Sequence, residues 1–375
     1  MKNNYCVIHK DNIVLWIFYL LSILSSFRIV SGSLIIAGLA ILSLIFVSKY
    51  KTRVMILFVC LSIFFVMYLN FGYYNFEQGG LALINKVLVF YFTCQAMFLL
   101  GASSINDSKK QNVILVFTLL SIIYCLYISY SSFSLGYRGY AQLYDPINRI
   151  DINSPLIAMM LTLNSIVFLE AFLKKEFKIK ISFFVFLFFI FIAVFISGFY
   201  LSSRASLVLI SVYLFFCFFR IKGTVLVIVF SFCFLSFIST LIYHDLAINF
   251  SLGGFEDRGI DSPRFEMLEY GLNNLYYYPF GGMRVISSTY DGIWFHNMFL
   301  DIVRVSGWVT MIVWLCISIY FFTQLLRGRK WDTLAILSIL YLALLQDLAF
   351  DGFYNLMMLV FFFFGSSLSE YRRYN

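Results

Sequence analysis

Long apolar runs recur from one end of the chain to the other, separated by short polar segments. They cover Ile13–Phe27, Ser33–Val47, Val54–Phe71, Leu81–Leu100, Val113–Phe133, Pro155–Leu173, Ile181–Tyr200, Leu207–Phe219, Thr224–Tyr243, Met298–Leu326, Leu334–Ala349 and Leu356–Leu368. Most approach the roughly 20 residues that an α-helix needs to cross a hydrocarbon core about 30 Å thick. A membrane β-barrel would instead show short segments of strict alternation, and none occurs. The pattern predicts an all-α polytopic membrane protein with about twelve transmembrane helices, folded as one integral membrane domain over residues 1–375.

Composition agrees with that class. Charged residues are 12 % and hydrophobic ones 62 % of the chain, against about 25 % charge in a soluble domain. Lys and Arg gather in segments 2–10, 49–53, 109–110, 174–180, 220–222, 327–330 and 372–373, on every second connection. Basic connections stay in the cytoplasm, so both termini are expected there, and the alternate connections, which hold no Lys, face out. The net charge of +8 then reports orientation, not nucleic-acid binding. The seven cysteines lie in the N-terminal tail or within the apolar runs, so no structural disulfide is expected. The first run is too long, and too soon followed by the second, for a cleaved signal peptide. No internal repeat, low-complexity tract or soluble domain is visible.

Two outer connections are longer than the rest, Ser134–Ser154 and the external loop 244–295 between the ninth and tenth runs. The second holds Tyr270, Tyr276, Tyr277, Tyr278, Tyr290 and Trp294, rings that suit sugars and equally suit the membrane interface. Within it Asp261-Ser262-Pro263 marks a helix start, and Phe265, Leu268, Leu272 and Leu275 then share one face. This predicts a short interfacial helix lying flat on the outer surface. Arg264 falls in its first turn, where guanidinium and helix dipole address the same anion; pairing with Asp261 is the plainer alternative.

Eight outer arginines, Arg28, Arg138, Arg149, Arg204, Arg258, Arg264, Arg284 and Arg304, run against the positive-inside trend. Arginine matches phosphate oxygens bidentately and keeps its proton, so the cluster points to a phosphate or pyrophosphate ligand, with Arg138, Arg258 and Arg284 as binding candidates. Residues 181–219 are only just long enough for two spans, which puts Arg204 in a tight hairpin at or below the outer interface. An ionisable group at that depth marks function unless it snorkels to headgroups. Of the three histidines, His9 lies in the tail and His244 beside Asp245, while His296 opens the pattern His296-Asn297-x-x-Leu300 with Gly307 beyond it. Taken alone, His296 reads as readily as a satisfied polar group at a membrane boundary.

Three elements in order change that balance: Ser203-Arg204 opening a run after a hairpin, Arg264 leading a helix that ends in Tyr278-Pro279-Phe280-Gly281, and His296, Asn297, Leu300 and Gly307. Over Ser202 to Gly307, with the layout of about twelve spans, the chain resembles the O-antigen polymerase and O-antigen ligase superfamily of bacterial cell-surface polysaccharide enzymes. It departs where the family often has an aromatic residue after the loop arginine, here Met267 or Leu268, and in the turn Phe280-Gly281-Gly282-Met283. Asp145-Pro146-Ile147-Asn148 matches the Asp-Pro-Asn element of some relatives only loosely.

The resemblance implies glycosyl transfer on the external, periplasmic side of the bacterial cytoplasmic (inner) membrane. Donor and acceptor would be undecaprenyl-diphosphate-linked oligosaccharides, with a chain-length regulator as a further partner. His296 would be the general base, Arg264 and Arg204 would stabilise the departing diphosphate, and Tyr278 and Asn297 would contact substrate. The reaction would be inverting, without metal or other cofactor. A polymerase is favoured over a ligase acting on lipid A core because the chain is compact and Phe-rich, with 46 Phe and a modest outer loop. A lipid-linked oligosaccharide flippase would place charge along a central path, whereas here the inner halves of the spans are almost free of charge and the outer ends hold it.

Overall fold

A computed structural model describes residues 2–47, 50–76, 79–136, 142–173, 185, 188–190, 192–201, 203–220, 263–287, 294–345 and 354–369. The apolar runs become helices α1 (Lys2–Ser26), α2 (Val30–Val47), α3 (Thr52–Gly72), α4 (Gly80–Ala102), α5 (Asp107–Ser134), α6 (Ser154–Leu173) and α7 (Arg204–Arg220). After the long loop come α8 (Pro263–Asn274), α9 (Met298–Ser306), α10 (Trp308–Arg327), α11 (Trp331–Leu344) and α12 (Tyr354–Leu368). Among the described residues, six helices are long and apolar enough to cross a membrane, and three shorter apolar ones accompany them. Trp16 on α1, Ile35 and Phe46 on α2 and Val66 on α3 are exposed. A bilayer covers such side chains where water would not. The chain is therefore a helical membrane protein; the ninth run, Thr224–Tyr243, and residues 181–184, 186–187 and 191 of the seventh lie outside the described residues.

Two compact units emerge, one from residues 1–117 with 261–375, the other from 118–260. In the first, α4 and α12 cross where Gly101 meets Gly365, so closely that a Cβ on either would lie under 3.0 Å from backbone atoms of the other helix. Their C-termini point the same way, and each is capped by a lysine. Lys110 Nζ donates to Gly101 O at 3.3 Å and Ser103 O at 3.3 Å, and Lys330 Nζ to Ser366 O at 2.7 Å and Ser369 O at 2.8 Å. Ammonium groups satisfy the terminal carbonyls that have no helical partner and suit the negative dipole end. Asp107 pairs with Lys110 at 2.7 Å. Burial pushes the Lys330 ammonium down to about 8, with Asp107 opposing and Lys110 adding to the shift. Lys109 reaches Asn12 at 3.1 Å and Tyr50 reaches Leu99 O at 3.1 Å. Four of the basic segments thus share one end of this unit. Its middle is an aromatic stack in which Phe321 lies parallel to Phe364 at 4.2 Å and Trp314 against Phe64 at 4.8 Å.

The run Met298–Leu326 is not one helix. Gly307, at φ +89, breaks it into the buried α9 and the membrane-length α10. A side chain there would strike Pro279 O and Phe280 N, so the break is imposed by another segment's close approach and leaves no trace in hydropathy. The expected short helix is α8, and the side it turns to the protein is offset from the apolar face expected to lie on the membrane surface. Met267 is buried while Phe265 and Leu272 are exposed, because α8 packs its Met267 and Gly271 side on α9.

The second unit joins the rest of α5 to α6 and α7 through an antiparallel hairpin of β1 (Gln142–Asp145) and β2 (Ile150–Asn153). Asp145 is buried; its Oδ1 accepts from Ile147 N at 2.9 Å and its Oδ2 from Tyr124 OH at 2.5 Å and Asn148 Nδ2 at 2.6 Å. The Asp-Pro-Ile-Asn stretch is therefore a turn whose carboxylate serves the fold. A π-helical stretch, Ala193–Tyr200, leads into α7.

Candidate functional site

Proline at the first position of α8 lacks the N–H that a helix start leaves unused, and Arg264 follows it. At helical spacing Arg264, Met267, Leu268 and Gly271 share a face. That face is the one laid on α9: a Cβ at Gly271 would meet Leu300 Cδ1 and Phe295 Cε1, and Met267, Met283, Phe295, Leu300 and Val303 form one buried cluster. Arg264 is half-buried on this side. Tyr270 and Tyr278 flank the cluster; burial raises the Tyr270 phenol above its ordinary value, and the neighbouring Tyr278 adds to it.

Beyond α8 the chain makes one 3-10 turn, Leu275–Tyr277, and then the Pro279–Gly282 turn. Gly281 and Gly282 hold φ of +97 and +89, a region glycine enters without steric cost. The turn is sewn to both sides of the helix break. Gly282 N donates to Arg304 O at 2.9 Å, Trp308 N to Tyr278 O at 3.1 Å and Val309 N to Pro279 O at 3.3 Å. Asn75, just past the end of α3, clips it from below by donating to Phe280 O at 2.9 Å, Val305 O at 3.3 Å and Phe71 O at 2.8 Å. The Pro-x-Gly turn and the distal Gly307 are thus one physical assembly.

At the other end of α9, Asn297 is the N-cap, its Oδ1 accepting from Phe299 N at 3.1 Å and Leu300 N at 3.3 Å. Its Nδ2 donates to Leu345 O at 3.2 Å. Buried Asp301 reaches back, Oδ1 accepting from Phe295 N at 2.8 Å and Oδ2 from Asn297 N at 3.2 Å. His296 lies between these two held amides, half-buried, at φ +54. A left-handed non-glycine backbone costs on the order of 1–3 kcal/mol and persists where its surroundings fix it, often at functional sites. The surroundings here are Asp301 and Asn297, and Asn297 engages its own side chain in doing so.

Arg304, one turn below Asp301, is buried with its guanidinium 4.0 Å from the centroid of the Trp294 ring. Trp294 meets Phe76 edge-on at 6.4 Å, and Lys86 Nζ stands 5.0 Å from the Phe76 ring. Cation and ring faces attract by about 0.5–2 kcal/mol per pair. Arg284 is exposed on the segment that leaves the turn, and Arg149 is exposed in the hairpin of the second unit. Arg138 and Arg258 lie outside the described residues.

Arg204 belongs to the second unit, at the first position of α7. Ser203 caps that helix: its Oγ accepts from Ser206 N at 3.3 Å, and its own N donates to Ser197 O at 3.0 Å, within the π-helical stretch. The Arg204 side chain lies outside the described residues.

Sequence reasoning passed over Asp301 and Asn75 and gave Arg304 no role beyond its charge. Asp301 had a signal, an acid in the first turn of a helix opened by asparagine. Asn75 had none, because its partners are backbone carbonyls 205 and 230 positions away. Among the described residues no group of three or more His, Cys, Asp or Glu is placed to hold a metal ion. The sequence matches no protein-family model and no curated protein.

Proposed function

We propose that this protein is a glycosyltransferase that joins lipid-diphosphate-linked oligosaccharide repeat units at the external face of a bacterial cytoplasmic membrane, as a surface-polysaccharide polymerase. The observation that carries the reading is the assembly on α9. His296 sits on a left-handed backbone between amides held by Asp301. Two further sequence elements, the arginine-led helix and the Pro279–Gly282 turn, are packed against the two ends of the same helix.

In the reaction an acceptor sugar hydroxyl attacks the anomeric carbon of the donor. His296 takes the hydroxyl proton. The new C–O bond forms as the bond to the diphosphate breaks, the electron pair leaving with undecaprenyl diphosphate, and the anomeric centre inverts. Arg264, at the positive end of α8, stabilises the charge that develops on the departing diphosphate. Exposed Tyr276 and Tyr277 beside the turn offer ring faces to the saccharide. Arg204 has the same chemistry at the start of α7, and its variant tests it separately. Orientation rests on charge: the end of the first unit that holds Lys109, Lys110, Arg327 and Lys330 is the cytoplasmic one, which leaves His296 outside.

The glycan profile of a deletion strain tests this reading. Loss of long polymer with a single repeat retained on its acceptor supports a polymerase. A bare acceptor with accumulated lipid-linked polymer indicates a ligase instead, and repeat units trapped on the cytoplasmic side indicate a flippase.

A further inference from the structure

The α1 helix ends in a way that its sequence does not favour. Ile29 N donates to Leu24 O at 2.8 Å and Arg28 N to Ser25 O at 3.1 Å, the paired closing bonds of a helix whose next residue turns left-handed. That residue is Arg28, at φ +57, where glycine is the usual occupant and any side chain adds strain. An arginine kept in such a place has a use for its side chain.

The side chain is half-buried, and its Nη1 is shut away from solvent with no hydrogen-bond partner among the described residues. A buried guanidinium N–H without an acceptor is costly. Nearby, Tyr354 OH and Asn355 Nδ2 at the start of α12 both donate to Ser25 O, at 3.3 and 3.0 Å. Asn355 is fully buried, yet its Oδ1 is also without a partner among the described residues. Arg28 N donates to that same carbonyl, so the residues that bear the unmet donor and the unmet acceptor meet at Ser25 O. The setting is a lipid-facing one: Ile29 and Val30 beside Arg28 are exposed, and Trp16, Leu20 and Ile23 make an exposed apolar stripe along α1. Where such a stripe ends at a cation, the anion at hand is the phosphate of a lipid.

We propose that Arg28, with Tyr354 and Asn355, forms a binding site for the phosphate of a membrane lipid, at the end of the first unit opposite its lysine caps. The phosphate oxygens accept from the half-buried Arg28 guanidinium, while Tyr354 and Asn355 hold the Ser25 carbonyl that the Arg28 backbone closes on. Two sources present this chemistry, a phospholipid such as phosphatidylglycerol and a polyprenyl diphosphate.

The test uses the purified full chain in nonionic detergent, with dioleoyl phosphatidylglycerol and farnesyl diphosphate added in separate arms. Native mass spectrometry reads the lipid retained. The wild type retains at least one of them, and Arg28→Gly loses it by about tenfold or more, as expected for one charge-assisted hydrogen-bonding group. The same variant melts at or above the wild type, because glycine relieves the left-handed strain. Loss confined to one arm identifies the source. Equal retention by Arg28→Gly in both arms, retention of neither by the wild type, or a lower melting temperature for the variant overturns the site. No arm measures glycosyl transfer, so the result is independent of the function proposed for His296.

Discussion

Replacing Gly101 or Gly365 by alanine sets two effects of opposite sign against each other. Alanine favours a helix over glycine by about 1 kcal/mol, so in isolation either change stabilises. At these positions the added methyl points into the partner helix. At Gly101 it meets Phe362 O and Ser366 N, and at Gly365 it meets Phe98 O and Ala102 N, all under 3.0 Å. Those atoms are backbone and cannot swing aside, so α4 and α12 must part by roughly an ångström. A gap of that size forfeits about a quarter to a half of each dispersion contact along the crossing. Overpacking of this kind costs about 1–3 kcal/mol, and small residues are what allow such crossings in membranes. The net expectation is a loss of up to about 2 kcal/mol, or as much as a few degrees in the melting temperature. The double variant should lose little more than either single one, since the first methyl already separates the helices. Gly38→Ala is the control: its Cβ would meet only Phe92 Cδ1, at 4.0 Å, so it should melt at or above the wild type. Thermal unfolding of the detergent-purified variants at a fixed scan rate measures all four. If Gly101→Ala melts as high as Gly38→Ala, the crossing is not as close as described and the reasoning fails.

Further expectations concern the candidate site and the lysine caps. Asn75→Ala removes the donor from Phe280 O and Val305 O, each worth about 1 kcal/mol, and should speed limited proteolysis within 279–287. Asn75→Asp should be worse, because a carboxylate then faces three carbonyl oxygens; wild-type resistance in that variant refutes the clip. Arg264→Lys and Arg204→Lys should each be strongly impaired in polymer formation at normal membrane levels, since a point charge loses the paired geometry of guanidinium on phosphate. Full activity in either reduces that residue to a structural charge. Lys330 is held at about 8 against an ordinary 10.5, so between those values the unfolded chain binds the proton and the folded one does not. Stability contributed by this group therefore rises with pH from 8 upward. The melting temperature of the wild type should gain on that of Lys330→Met across this window, and a constant gap contradicts the depressed value.

How much of this was legible beforehand follows from the physics of a chain in lipid. Apolar runs mark helices because the bilayer demands satisfied backbones, and α2, α3, α4 and α6 match the expected runs to within a few residues. Hydropathy does not separate lipid-facing from protein-facing positions, since lipid tails are as apolar as leucine. The apolar face of α8 with Phe265 and Leu272 is legible as a membrane-facing side and is exposed, whereas the side that packs on the protein, with Met267 and Gly271, has no comparable signal. The break at Gly307 was hidden for a related reason: Pro279 forces it from 28 positions away, and apolar residues predominate along the run on both sides. The motif residues were readable, and the structure shows that the His296 loop and the Pro279–Gly282 turn share one helix. The capping role of Asn297 was not read beside its expected contact with substrate, because a short amide serves both purposes equally well in a sequence.

The central claim is that His296 takes a proton during transfer between lipid-linked saccharides. Its most direct test is elongation of a purified undecaprenyl-diphosphate-linked repeat unit by the detergent-purified protein, wild type against His296→Ala. A positioned general base contributes about 10² to 10⁴ in rate. The account predicts products longer than one repeat with the wild type, release of undecaprenyl diphosphate in step with them, and a loss of that order in the variant at unchanged melting temperature. Elongation by His296→Ala at the wild-type rate would contradict the role of the histidine, and no elongation by wild-type protein would contradict the function itself.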